Sequence, residues 1–520
     1  MGSKALFPPK IILFLAELAL FNYISAKDNL FFTIFAAVLM TKIAKTRTML
    51  IGRKKEQQEL WRAYEWDESR FVAVYGRRRV GKTYLVRETF KDKIIFSHSG
   101  LANQPLKEQL VAWRMSLERA GLEVQETPAS WLDAFMLLLK LIEQSTAKKK
   151  VVFLDELPWM DTPKSRLVTA LEFFWNGWAS ARNDVLLIVC GSATSWIINK
   201  LFRNHGGLYG RISFQIHLYP FTLHECEQYA KELHLSMSRY DLLEAYMVFG
   251  GVPYYWSLLE KGKSLAQNID DLCFAKNGKL RYEYTQLYDS LFHNPDNYLK
   301  VVNALGQSPS GMRRDDLIKK LKIADNGNFS RILEDLEHSG LITRYNSYGQ
   351  KYNGIYRLMD NFSLFYLKFM QENKTDDPAF WSHSYTSSVR LSWCGLAFER
   401  ICFQHIPQIK QALGISGVVT NTYSWQVKDD PEYGPGAQVD MLIERADNAI
   451  NICEMKFSSK EYTISKEYDA VLRHKIARFA DATKLRKSLR LTMVTTYGIV
   501  HNAYWNSVQS EVVADDLFKE

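Results

Sequence analysis

No uncharged apolar run in the 520-residue sequence reaches the roughly 18 residues that a membrane-spanning helix needs. The six cysteines, Cys190, Cys226, Cys273, Cys394, Cys402 and Cys453, include no C-x-x-C pair. Most lie inside apolar runs, where cysteine packs as a small hydrophobe, which fits a reducing cytoplasm. Low-complexity segments and internal repeats are lacking, which excludes collagen-like and disordered classes. Charge of one sign is not in great excess: Lys and Arg number 66 against 57 Asp and Glu, a net +9. That balance permits a polyanionic partner and is too diffuse to identify one.

What is present suits a folded chain, with 47% hydrophobic and 24% charged residues. At about 150 residues per domain, three or four domains are expected. The first 48 residues stand apart. Stretches 11–26 and 30–40 are strongly apolar but broken by Glu17, Asn22, Lys27 and Asp28. Three readings stay open: translation from Met49, a weak membrane-proximal anchor, or an export signal with Lys4 and Lys10 ahead of a poor Ser25-Ala26 cleavage site.

From Met49 the pattern changes. A charged helical stretch, 54–66, precedes the continuous apolar run 71–75, which reads as a parallel strand covered on both faces. Gly76-Arg77-Arg78-Arg79-Val80-Gly81-Lys82-Thr83 follows at once, and 84–90 reads as helix. Strand, G-x-x-x-x-G-K-[ST] loop and helix form the context of a phosphate cradle. Its glycines let backbone N–H groups face phosphate oxygens beside a helix N-terminus. Lys82 is expected to reach the β and γ phosphates of ATP and Thr83 to bind Mg²⁺.

Further buried strands are expected at 94–96, 151–154 and 185–189, separated by helices, which indicates a parallel α/β sheet. The 151–154 run ends in Asp155-Glu156, at the sheet edge where ligands collect. Asp155 would join the Mg²⁺ shell and Glu156 would orient or deprotonate the attacking water. Ser192 and Thr194, just past the 185–189 strand, could sense the γ-phosphate or be plain turn residues. Arg203 and Arg211, flanking the glycine-rich stretch 205–210, could face a transferring phosphoryl group or solvent.

After 218–221 helices dominate, at 225–233 and 240–249, followed by the turn Gly250-Gly251-Val252-Pro253. Three helices (298–305, 314–321, 328–338) and a hairpin (341–345 and 354–358) then make a winged helix-turn-helix pattern. Its third helix carries Glu334, Asp335 and Glu337, which oppose phosphate contact. Basic residues lie on the second helix and wing instead: Arg313, Arg314, Lys319, Lys320, Lys322, Arg344, Lys351 and Arg357. DNA contact and an intramolecular switching role both remain open for this unit.

The last segment reads as a second α/β unit, with a helix at 391–403, strands at 438–444 and 449–457, a helix at 468–480 and a strand at 490–496. Asp440, Glu454 and Lys456 fall on one edge of its sheet, since residues two apart in a strand point the same way. Two carboxylates and an ammonium there suit Mg²⁺-dependent phosphodiester hydrolysis. The expected organisation is an extension (1–48), a P-loop core (49–220), a helical lid (221–290), a winged helix (291–372) and a carboxyl-terminal α/β domain (380–520).

Ile51-Gly52-Arg53, the 75–83 loop, Asp155-Glu156, Leu218-Tyr219-Pro220-Phe221 with Glu225, and Gly250-Gly251-Val252-Pro253 together resemble the AAA-like, STAND-related ATPases that carry a carboxyl-terminal nuclease-like domain. The resemblance covers nearly everything from Met49 onward. It implies an ATP-hydrolysing switch, with Pro253 of the lid near the adenine and Gly52-Arg53 beside the base. The carboxyl-terminal unit looks like the PD-(D/E)XK nuclease fold. That likeness implies Glu399 as an auxiliary metal ligand beside Asp440 and Glu454, and double-stranded DNA as a partner. Homo-oligomerisation would accompany a signalling or scaffold role, the alternative to a nuclease. An ATP-consuming protein belongs in the cytoplasm.

Overall fold

The computed structural model describes residues 50–520 apart from 204–205, 293, 351–353, 374, 376 and 432–433. The two apolar stretches before Met49, and Lys351 of the wing, therefore lie outside the described residues. The chain divides into two units, Met1–Ile51 and Gly52–Glu520.

The first sheet is wholly parallel, in the order β2-β3-β4-β1-β5. Its strands are β1 (Arg70–Tyr75), β2 (Ile94–Ser99), β3 (Lys150–Asp155), β4 (Val185–Gly191) and β5 (Phe214–His217). All seven residues of β4 are buried, as a central strand covered on both faces requires. Helices Leu106–Arg119, Trp131–Gln144 and Leu167–Gly177 pack on the sheet through Trp113, Trp131, Phe135 and Phe174. Ser130 starts the second of these by accepting the Asp133 N–H, a side-chain N-cap. The edge strand β5 escapes the sequence pattern because Gln215 and His217 interrupt a run of only four residues.

Beyond β5 come helices Leu223–Glu232 and Arg239–Phe249, then short helical turns to Glu283–Leu291. Helices Pro295–Gly306, Arg314–Leu321 and Gly327–His338 follow, with a three-stranded antiparallel sheet of β6 (Met312–Arg313), β7 (Ile342–Tyr345) and β8 (Ile355–Leu358) in the order β6-β8-β7. The last sheet is mixed, in the order β13-β12-β11-β10-β9. It comprises β9 (Thr420–Val427), β10 (Ala437–Arg445), β11 (Ala449–Lys456), β12 (Ser488–Thr495) and β13 (Ser510–Val513). β9 to β11 pair antiparallel, while β12 joins β11 in parallel by way of the Lys466–Thr483 helix. One apolar core joins residues between Phe221 and Phe518, with two smaller clusters around Trp425 and Leu472 beside it. The segments after β5 are thus packed into one another rather than strung on linkers.

Candidate functional site: a strapped phosphate loop and a carboxylate edge

The loop leaves β1 at Gly76 and enters the Lys82–Thr89 helix through Gly81, whose φ of +92° is strained for any side chain. Open space lies where a Gly81 Cβ would stand. Buried Lys82 donates from Nζ to Gly76 O (3.0 Å) and Arg77 O (2.9 Å), which fixes its ammonium against the loop. Thr83 Oγ1 donates to Asp155 Oδ2 at 2.9 Å. A hydroxyl and a carboxylate so placed are hard oxygen donors that fit Mg²⁺.

Strand order brings in Ser192. Because β4 lies between β1 and β3, its end falls between the phosphate loop and the acidic pair. Glu156 Oε2 accepts from Ser192 N (3.0 Å) and Ser192 Oγ (2.9 Å). Glu156 itself adopts φ +47°, the kind of backbone strain that gathers at functional sites. Thr194 is fully buried with its hydroxyl toward Ser192 O, so of the two residues it is Ser192 that reaches Glu156. Arg203 and Arg211 are both exposed.

The three loop arginines have partners that the motif does not disclose. Arg77 forms a buried ion pair with Asp360, and its Nε and Nη2 have no partner. Burial opposes the Arg77 charge, yet Asp360 more than compensates and raises its pKa. Arg79 pairs with buried Glu283, which also accepts the Tyr255 hydroxyl at 2.7 Å. Burial raises the Glu283 pKa against the pull of that hydroxyl and of Arg79. Arg78 Nη1 donates to Gln286 O at 3.3 Å. Two carboxylates from distant segments therefore strap the loop. The signal in the sequence was acidic residues, Glu283 and Asp360, beside apolar helical runs.

The remaining motifs meet around this loop. Pro253 opens the helical turn Pro253–Trp256, and the Arg79 guanidinium sits 4.3 Å above the ring of the next residue, Tyr254. Arg53 Nη2 donates to Tyr219 O (2.7 Å) and Val80 O (3.4 Å), and the Arg53 N–H donates to Glu225 Oε1 (3.2 Å). Phe221 N–H donates to Gly251 O at 2.6 Å. A Cβ on Gly251 would stand 1.8 Å from Phe221 O, so only glycine allows the two backbones to touch.

At the last sheet, the antiparallel register Met441↔Cys453 brings Asp440 beside Glu454. Glu399, on the Ser388–Gln404 helix, is pushed up to about 7 by burial and then by the Asp440 charge, with Lys456 opposing. The charges of Asp440 and Glu454, expected with Glu399 as metal ligands, both act on the Glu399 carboxyl. Among the described residues, no three His, Cys, Asp or Glu side chains are gathered so as to hold a metal ion. Glu454 is instead ion-paired with Lys475 and accepts the Tyr468 hydroxyl at 2.9 Å. Asp440 Oδ1 accepts from Gln438 at 2.6 Å. Lys456 lies over the Tyr468 ring, 4.8 Å from its centre. Tyr468 and Lys475 were missed in the sequence; their spacing of seven on one helix was the available sign.

The basic surface also needs revision. Arg357 is buried and donates from Nε to Ser310 O at 3.0 Å, while Lys319, Lys320, Lys322 and Arg344 are exposed. The Gly327–His338 helix packs against Thr194–Ile197 of the first domain, and His338 Nδ1 lies 3.4 Å from Ser195 Oγ.

A parallel sheet with a phosphate loop after β1 and paired carboxylates at the end of β3 defines a P-loop ATPase. Residues 50–259 match the family model described as an ATPase domain predominantly from Archaea, and the chain belongs to the P-loop ATPases through that domain. An uncharacterised protein of Methanocaldococcus jannaschii is 22% identical over 327 residues, 62% of this chain and 70% of that one. An uncharacterised ATP-binding protein of the same organism is 38% identical over 47 residues, 9% of this chain and 80% of that one. The Walker-type ATPase of Pyrococcus abyssi is similar at a TM-score of 0.46 and 16% identity, over 62% of this chain and 97% of that one. Among the described residues no helix is long and apolar enough to cross a membrane.

Proposed function

We propose that this chain is an ATP-hydrolysing switch whose phosphate loop is held by its own lid and winged helix until nucleotide binds. The observation that carries this reading is the double strap, Arg77 on Asp360 and Arg79 on Glu283. The 76–83 loop would hold the phosphates, and Thr83 with Asp155 would hold Mg²⁺. When bound, the ion supplies positive charge against the phosphate oxygens. Glu156, steadied by Ser192 at Oε2, would take the proton of the attacking water. Phosphate charge beside Asp360 and Glu283 would repel both carboxylates and compete for the arginines. Nucleotide binding would thereby loosen the lid.

The three helices with the β6-β8-β7 sheet fit a winged helix. Its third helix is acidic and faces the first domain, so DNA contact would run through Lys319, Lys320, Lys322 and Arg344. The antiparallel β9–β10–β11 strands with β12 added in parallel fit the PD-(D/E)XK fold. A second reading, in which that domain only binds a partner, is favoured by the Glu454–Lys475 pair, which neutralises an expected ligand.

Steady-state phosphate release tests the switch. Asp360→Asn and Glu283→Gln should each lower the KM for ATP several-fold while Lys82→Ala abolishes turnover. Unchanged KM in both strap variants would sink the switching role and leave a plain ATPase. Incubation with linear duplex DNA and Mg²⁺ or Mn²⁺, with and without ATP, decides between cleavage and binding alone.

A further inference from the structure

Away from the phosphate loop, a cavity of about 600 Å³ opens where the Pro295–Gly306 helix, the segment after Asp360 and the Ser388–Gln404 helix meet. Leu364, Leu367, Trp393 and Leu396 supply an apolar wall. Gln307 and Ser392 add neutral hydrogen-bonding groups. Lys368 and Glu372, also on the lining, form an ion pair at 3.8 Å.

Arg400 differs from every other charge there. It lines the cavity, and its Nε and Nη2 are buried without any hydrogen-bond partner. The neighbouring Glu399 is the carboxylate that acts on its charge. The half-buried side chain thus sets a cation, with no hydrogen bond at Nε or Nη2, in an apolar wall. Buried guanidinium N–H groups left without a hydrogen bond are costly. The volume lies within the range of small-molecule pockets, whose lining is mostly apolar with a few polar groups that fix orientation.

We infer that this cavity is a binding site for a small organic anion, an apolar body carrying one carboxylate or phosphate that meets Arg400. The apolar part lies against Trp393, Leu364 and Leu367. Such a ligand would join three segments that share one core, including the helix that follows Asp360, and so sits within reach of the strap on the phosphate loop.

The test uses the full chain with excess ADP, so that the phosphate loop is filled, and titrates 8-anilinonaphthalene-1-sulfonate, an aromatic anion. Saturable binding of one probe per chain is expected, displaced by octanoate or octyl phosphate; whichever competes better identifies the head group. Arg400→Met should weaken probe binding at least tenfold and leave the ligand-free melting temperature equal or higher, because it removes buried N–H groups that lack a hydrogen bond. Ser392→Trp, which fills the cavity from an exposed helix position, should weaken binding with Arg400 intact. Unsaturable binding, unchanged affinity in both variants, or an Arg400→Met protein that melts earlier or fails to fold would each overturn the assignment, the last by making Arg400 structural.

Discussion

Arg77, inside the phosphate loop, and Asp360, which caps the Asn361–Phe365 helix, form an ion pair that is closed off from solvent. Asp360 spends its other oxygen on Ser363, accepting from N at 2.9 Å and from Oγ at 2.6 Å. The carboxylate is thus fully committed, and the arginine depends on it alone. Asp360→Ala should destabilise the chain by about 3–5 kcal/mol, because a buried guanidinium is left unpaired. Replacing both groups, Arg77→Met with Asp360→Ala, should recover most of that loss. Urea unfolding midpoints of the four proteins in the cycle check it. A loss in the double variant equal to the sum of the two single losses would mean that the pair does not couple.

Binding and chemistry should separate at the loop. Lys82→Ala removes the ammonium that lies against Gly76 O and Arg77 O, so it should lose nucleotide affinity and turnover together. Glu156→Gln keeps the Ser192 contacts and loses the base; it should bind a fluorescent ATP analogue normally while turnover falls about 10²–10⁴-fold. A Glu156→Gln enzyme with ordinary turnover would remove Glu156 from the proton transfer.

The core of this site was legible because it is local in sequence: 76–83 and Asp155-Glu156 each follow a strand whose apolar run is unbroken. Ser192 remained ambiguous until strand order was known, since only the insertion of β4 between β1 and β3 carries it to Glu156. The straps were hidden for the same reason on a longer scale, with Arg77 and Asp360 separated by 283 residues. Short or polar edge strands, β5, β6, β9 and β13, escaped the periodicity because little of each is buried apolar surface. At the last sheet Asp440, Glu454 and Lys456 were found on their strands, but the cation that neutralises Glu454 comes from a helix face.

Acid should loosen the packing between the lid and the carboxyl-terminal domain through His405. Its ring is buried, Nε2 accepts the Leu223 N–H at 3.0 Å, and Nδ1 lies 2.8 Å from Ile401 O. That arrangement requires the neutral ring, and burial pushes its pKa down to about 4. The unfolded chain, with histidine near 6.5, binds the extra proton over that interval. His405 therefore costs no stability above about pH 6.5, and its contribution declines toward pH 4 with a slope of up to about 1.4 kcal/mol per pH unit. His98 and His217, also pushed down to about 4, act in the same direction. Urea midpoints between pH 4 and 7 should fall less steeply in His405→Gln, which keeps an acceptor for Leu223. An unchanged slope would place the acid sensitivity elsewhere.

The two lysines at the carboxyl-terminal edge should differ in what they hold. Lys475 is the ion-pair partner of Glu454, a buried carboxylate whose other contact is the neutral Tyr468 hydroxyl. Lys475→Ala leaves that charge without a cation and should cost about 3 kcal/mol. Lys456, by contrast, rests on the face of Tyr468, so Lys456→Ala should cost only about 0.5–1 kcal/mol. Denaturant unfolding of both variants reads the difference. If Lys456→Ala proves the more damaging, Glu454 relies on the strand lysine, as a nuclease-like edge would require, and the helix lysine is a bystander. If Lys475→Ala dominates, the last sheet is held together by a contact that a metal ion would have to displace.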